Sequence, residues 1–178
     1  MALLKESDLR SYLSKSTLAC ESASNRSLDH EKFDVFLSHS YRDKDLVFAV
    51  KKYLEDHDLS VYVDWIDEQE LDRSSVDVET AETLRKRMSQ CQSLLFLTSS
   101  NSTISKWMPW ECGYFDGING RIAIFPIAKS DESSFAGQEY LGLYPYIDVV
   151  GTTIWVNSVK SGYCSMKDWL NGKSPDSY

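Results

Sequence analysis

The chain has 178 residues, 42% hydrophobic and 26% charged, which is the composition of one folded domain with a sizeable core. Its 19 basic and 27 acidic residues give a net charge of −8, which excludes the basic stripe of a nucleic-acid-binding protein. No apolar run reaches the roughly 18–20 residues of a membrane span, and no apolar signal core opens the chain, so we expect a cytoplasmic protein without membrane contact.

The first thirty residues form a polar segment. Leu9, Tyr12 and Leu13 lie on one face of a short amphipathic helix, and the Ser-, Asn- and Glu-rich stretch after it is typical of a linker. We therefore divide the chain into an N-terminal helix and linker (1–30), a domain (31–171) and a C-terminal tail (172–178).

From Lys32 onward, apolar strands alternate with amphipathic helices. The strands are predicted at 33–37, 60–65, 93–98 and 121–127, with two short extended pieces at 146–150 and 153–156. The helices are predicted at 43–58, 77–90, from about 106, and at 166–170. This alternation predicts an α/β fold of three layers, with helices on both faces of a parallel sheet.

Polar segments follow three of these strands, at 38–42, 64–76 and 98–111. Because the carboxyl ends of parallel strands meet at one edge of the sheet, the three segments should converge there. Ligands of open α/β sheets bind at that edge. The sequence therefore predicts a ligand site built from these segments.

The most informative segment runs from Lys106 to Gly117. Proline is tolerated only in the first turn of a helix, so Pro109 places the helix start near Lys106. Trp107 and Glu111 are four residues apart and share a face. An aromatic ring beside a carboxylate could hold a nucleoside and act on its sugar. Alternatively, Trp107 is a core residue and Glu111 is a solvated acid near the helix start.

These segments together resemble the Toll/interleukin-1 receptor (TIR) domain family, most closely its bacterial stand-alone members. The matching residues are Phe33-Asp-Val-Phe-Leu-Ser-His-Ser40, Val61-Tyr-Val-Asp64, the polar loop after them, and the Trp107/Glu111 helix. The resemblance covers roughly 31–170. It implies a flavodoxin-like sheet of five parallel strands, in which the polar loop corresponds to the family's BB loop.

The resemblance also implies an activity. Enzymatic TIR proteins cleave NAD⁺ into nicotinamide and ADP-ribose, or cyclise the ADP-ribose, with a glutamate on the third helix and an aromatic residue one turn earlier. Glu111 and Trp107 match these positions. NAD⁺ would be a substrate and no cofactor would be needed. Bacterial members act in antiphage systems such as Thoeris, where a cyclic product signals to an effector partner, and many are active only as homo-oligomers or open arrays.

Further substrate-binding candidates follow from position. Ser38 and His39 end the first strand, and Asp64 is expected to end the second. Arg42 and Arg73 are candidate phosphate partners. Family members often carry an arginine pair after the first strand, whereas this chain has Tyr41 and Arg42, so which arginine meets the phosphates stays open. The four cysteines lack Cys-x-x-Cys spacing and an adjacent histidine, so no metal site is predicted.

One carboxylate suffices for the implied chemistry. The nicotinamide of NAD⁺ is cationic and leaves as a neutral base, so the second carboxyl that most glycosidases use to protonate a leaving group is not required. We expect Glu111 to be an exposed residue that stabilises the ribose cation. Hydrolysis and cyclisation both stay open. Two alternatives are a non-catalytic TIR–TIR interaction module and, ranked lower, an enzyme resembling nucleoside deoxyribosyltransferases.

Overall fold

A computed structural model describes residues 3–15, 31–67, 77–128 and 139–176. The strands are β1 (Leu4–Lys5), β2 (Phe33–Ser38), β3 (Val61–Tyr62), β4 (Cys91–Thr98), β5 (Ile122–Ala128), β6 (Tyr146–Val150), β7 (Thr153–Asn157) and β8 (Tyr163–Ser165). The α-helices are α1 (Glu6–Lys15), α2 (Lys44–Glu55), α3 (Asp64–Asp67), α4 (Val78–Gln90), α5 (Trp107–Ile118) and α6 (Met166–Leu170). Short 3₁₀ turns lie at Tyr41–Asp43, Ser102–Ile104 and Glu139–Leu143.

The strands form one sheet in the order β3-β2-β4-β5-β6-β7-β8, and β1 pairs with β5. The pairs from β3 to β6 are all parallel. The order of these five strands is that of the flavodoxin-like fold, so the predicted architecture is confirmed. Strands β7 and β8 add an antiparallel extension, of which β8 was not predicted.

Helices cover both faces of the sheet. On one face, Leu9 of α1, Val47 of α2 and Trp169 of α6 join one buried apolar cluster. On the other, Leu84 of α4 and Phe115 of α5 belong to a second cluster. The predicted three layers are therefore present. Among the described residues, no helix is both long enough and apolar enough to cross a membrane.

The N-terminal segment packs onto this domain. Leu4 of β1 pairs with Ile127 of β5, and Leu9 of α1 is only 1% exposed. Tyr12 packs edge-on against Tyr53 of α2, with ring centroids 5.5 Å apart, and its hydroxyl donates to Asp56. Residues 3–15 therefore add to the core. The linker was predicted at 14–30, but α1 continues to Lys15, and 16–30 lie outside the described residues.

The second predicted strand, 60–65, is too long. Strand β3 ends at Tyr62, and Asp64 begins the single helical turn of α3 instead of ending a strand. The carboxylate of Asp67 accepts the N–H of Val63 at 2.6 Å, and the carbonyl of Val63 accepts the N–H of Asp67 at 2.9 Å. These contacts fold the chain into a turn as soon as it leaves the sheet.

Candidate active site

Helix α5 begins where Pro109 predicted. Its first residue is Trp107, so Pro109 is the third residue and lies within the first turn. Trp107 is 6% exposed and packs edge-on against Trp110, with ring centroids 5.4 Å apart. In this conformation Trp107 is part of the core, and its contact with a substrate stays a prediction.

Glu111 is fully buried, which corrects the expectation of an exposed helix residue. Its Oε2 accepts a hydrogen bond of 2.6 Å from the hydroxyl of Ser38, and both side chains are 0% exposed. The burial arises because α5 contacts β2 as well as β4 and β5, so this face of the helix meets the sheet. A length of 2.6 Å is typical of a hydroxyl donating to an ionised carboxylate.

Beside this contact lies a second buried polar pair. His39 is 1% exposed and Asp64 is 2% exposed. Nε2 of His39 lies 3.5 Å from Oδ1 of Asp64, and Nδ1 lies 2.8 Å from the carbonyl oxygen of Leu37. The two residues come together because β2 and β3 are neighbours, with Phe36 opposite Tyr62.

Arg42 is exposed and lines a polar cleft of about 230 Å³. The cleft lies where β2 and β4 end, between α1 and the turns after those strands. The chain order of the strands reverses between β2 and β4, and ligands of such folds bind at that point. In the cleft, the carboxylate of Asp43 accepts from the hydroxyl of Ser99 and, at 2.6 Å, from the amide of Asn101. Arg73, the other predicted phosphate partner, lies outside the described residues.

Lys44 is a second cation at this edge, and the sequence reasoning missed it. Its Nζ lies 4.3 Å from the ring centroid of Tyr41 and 5.4 Å from that of Trp65. Both are cation–π distances. The three-residue spacing of Tyr41 and Lys44, next to a predicted strand end, was a signal that could have pointed to it.

Cys112, which follows Glu111, is an inert neighbour. The pKa of its thiol is raised to about 11, mainly by burial; a hydrogen bond with Tyr144 lowers the pKa, and the nearby charges of Asp116 and Glu111 raise it. The thiol therefore stays neutral at physiological pH and is a poor nucleophile.

The chain matches a known protein family over most of its length. A model of the TIR domain family matches residues 35–159, which is more than half of the chain. The chain belongs to the TIR domain family. The match confirms the resemblance inferred from the sequence.

Two bacterial relatives carry names that refer to an activity. The chain is 49% identical over 145 residues to the "Probable 3' cyclic ADP-D-ribose synthase ThsB'" of Bacillus cereus (strain MSX-D12), covering 78% of this chain and 75% of that protein. It is 32% identical over 111 residues to a Cytobacillus dafuensis protein provisionally named as a cyclic ADP-D-ribose synthase, TIR2, covering 62% of this chain and 29% of that protein.

A solved structure also resembles this chain. It is the TIR domain of the Toll-related Receptor TRR-2 from Hydra magnipapillata, with a TM-score of 0.48 and 13% identity, covering 65% of this chain and 82% of that one.

The structure brings together four of the predicted site residues as two contacts, Ser38 with Glu111 and His39 with Asp64. Trp107 lies one turn from Glu111 on the same helix, and Arg42 lies in the separate cleft. The catalytic and binding roles of all these residues stay predictions.

Proposed function

We propose that this TIR protein cleaves the nicotinamide–ribose bond of NAD⁺ and closes the remaining ADP-ribose into a cyclic isomer, as a signal in bacterial antiphage immunity. The observation that carries the proposal is the buried carboxylate of Glu111, which the hydroxyl of Ser38 holds at 2.6 Å at the carboxyl edge of the sheet. The relative at 49% identity, whose name is that of a cyclic ADP-ribose synthase, supports the choice of cyclisation over hydrolysis.

The chemistry needs one negative charge. As the bond from C1′ to the nicotinamide nitrogen breaks, its electron pair goes to the nicotinamide, which leaves neutral. The ribose carries the positive charge, and the carboxylate of Glu111 stabilises it. A nucleophilic atom elsewhere in the ADP-ribose then bonds to C1′, and the proton that this atom releases passes to water, which gives the cyclic product. Water in the same position would give ADP-ribose.

Burial of the acidic side chain of Glu111 supports an enzyme over a docking module. Removing such a group from water is costly unless it is well hydrogen-bonded, and a carboxylate on a docking surface avoids that cost. In a protein whose stability is only marginal, a fully buried acid one turn after Trp107 is better explained by chemistry.

The deciding experiment incubates the purified protein with NAD⁺, follows nicotinamide release and measures the mass of the second product. We expect nicotinamide together with a product one water lighter than ADP-ribose. ADP-ribose as the sole product would limit the proposal to hydrolysis. Absence of release from the assembled protein would leave the interaction module as the function.

Assembly is part of the proposal. Glu111 is 0% exposed in the single chain, so substrate reaches it only after the covering residues move. Head-to-tail contacts between copies could stabilise the opened form, since they build open arrays. We therefore expect nicotinamide release to rise more steeply than linearly with protein concentration. Strict proportionality over a wide concentration range would contradict this.

A further inference from the structure

The chemistry proposed above assigns no task to the pair of His39 and Asp64, since departure of a neutral base requires no acid and the proton released on ring closure passes to water. Both side chains are almost completely buried. Neither touches a ligand in this conformation, and Glu111 is buried in the same way. The contacts of the pair connect it to Glu111 through Ser38.

The partners of His39 define where its protons lie. The carbonyl oxygen of Leu37 can only accept, so Nδ1, at 2.8 Å, carries a hydrogen. Nε2 lies 3.5 Å from Oδ1 of Asp64, which is ion-pair range and longer than a normal hydrogen bond. Without a second proton, the Nε2 lone pair would face a carboxylate away from water. Protonation of Nε2 turns that repulsion into attraction.

We infer that His39 is an imidazolium whose ion pair with Asp64 positions Ser38 against Glu111. The Nδ1 bond runs from His39 to Leu37 and so closes a ring of contacts across the backbone of Ser38. Asp64, which follows the neighbouring strand, holds the other side of the imidazole. The backbone of Ser38 is thereby clamped, and its hydroxyl stays 2.6 Å from Glu111.

The charges around the pair agree with this assignment. Asp64 and Glu111 are both almost completely buried, and a buried carboxylate is most costly when no opposite charge lies near it. An imidazolium at His39 supplies a positive charge within the buried region itself.

The charge state is tested by nitrogen-15 NMR of histidine-labelled protein at neutral pH. The chain has three histidines, so the spectrum of a His39→Asn variant assigns the His39 signals by difference. We expect both ring nitrogens of His39 to be protonated in the wild type, and Nε2 to lose its proton in Asp64→Asn. A singly protonated His39 ring in the wild type would overturn the inference.

The positioning role, which rests on the proposed function, is tested by kinetics. His39→Asn and Asp64→Asn should each lower kcat by about 10- to 100-fold while changing KM for NAD⁺ by less than about 3-fold, as expected for a residue that acts through another. His57→Asn is the matched control, because Nδ1 of His57 makes the same kind of contact, at 2.7 Å with the carbonyl of Tyr53. It should keep the wild-type kcat.

The outcomes separate the two proposals. A wild-type kcat in Asp64→Asn would overturn the positioning role, and so would a rise in KM alone, since that would indicate direct contact with NAD⁺. If the wild-type protein releases no nicotinamide, the proposed function fails, and the NMR result alone decides whether the ion pair exists.

Discussion

The two ends of strand β2 carry the same chemistry in opposite surroundings. At the amino end, the carboxylate of the partly exposed Asp34 accepts hydrogen bonds of 2.8 Å from both the hydroxyl and the N–H of the exposed Ser60. At the carboxyl end, the carboxylate of Glu111 accepts from the hydroxyl of Ser38, and both groups are fully buried. Removing the carboxylate from water therefore costs little free energy at the amino end of β2 and much more at its carboxyl end.

The difference indicates which end of the sheet is functional. The Asp34–Ser60 contact ties the start of β3 to β2, and water can replace it at little cost. The Ser38–Glu111 contact keeps a charge away from water, and a polar pair is a poor way to stabilise a core. The costly pair lies at the carboxyl edge, where ligands of this fold bind.

The largest effect is expected when the activities of Glu111→Gln and Asp34→Asn are compared. Each variant replaces a carboxylate with an amide of the same shape. Glu111→Gln should lower the rate of nicotinamide release by on the order of 10²–10³, because the developing ribose cation loses its opposite charge. Asp34→Asn should stay within about twofold of the wild type, since surface substitutions away from the site have small effects.

Thermal unfolding followed by circular dichroism is the control for this pair. Because Glu111 is buried, truncation to Ala would leave a cavity and confuse lost folding with lost chemistry. The Gln variant keeps the volume and an oxygen that can accept from Ser38. Equal loss of activity in both variants would mean that the two ends of β2 do not differ in function.

A middle-sized effect is expected for the two serines. Ser38→Ala removes a hydrogen bond from a buried carboxylate, so it should lower the free energy of unfolding by about 1–3 kcal/mol. Ser60→Ala removes one of three hydrogen bonds from the partly exposed carboxylate of Asp34, which keeps those from the N–H of Ser60 and the amide of Gln92, and should cost less than about 1 kcal/mol. Urea unfolding monitored by tryptophan fluorescence measures both. An equal cost for the two variants would argue that burial does not distinguish the pairs.

Local rules predicted the parts of this molecule that depend on neighbours in sequence. The single residue Pro109 located the start of α5, because a missing N–H restricts proline whatever surrounds it. The short apolar run that begins at Phe33 located β2, because such a run between polar segments is typical of a buried strand. The family resemblance supplied the strand order, which periodicity alone does not give.

The missed features depend on particular contacts between side chains or strands, which a pattern of apolar residues does not show. Glu111 is buried because α5 lies against β2. The two residues in contact there, Ser38 and Glu111, are 73 residues apart in the sequence. The helical turn at Asp64 requires the side chain of Asp67 to fold back onto Val63. Strand β8 is three residues long at the edge of the sheet, and its pairing with β7 defines it more than its composition does.

The smallest effect is expected at a third hydroxyl–carboxylate pair, between Tyr12 of α1 and Asp56 at the end of α2. The hydrogen bond to Asp56, helped by burial, raises the pKa of Tyr12 from 10.0 to about 12. A raised pKa in the folded state means that the contribution of this hydrogen bond to stability is complete below pH 10 and is lost as the pH rises toward about 12.

Tyr12→Phe should therefore lower the free energy of unfolding by less than about 1 kcal/mol at neutral pH, because the pair is largely exposed. The difference in free energy of unfolding between wild type and variant, measured by urea unfolding at several pH values, should decrease to zero between pH 10 and about 12. Nicotinamide release should not change, since Tyr12 packs on the face of the sheet opposite α5. A Tyr12→Phe variant that loses activity while keeping its stability would show that α1 contributes to the site, and the distinction between a structural and a functional carboxylate would then no longer follow burial.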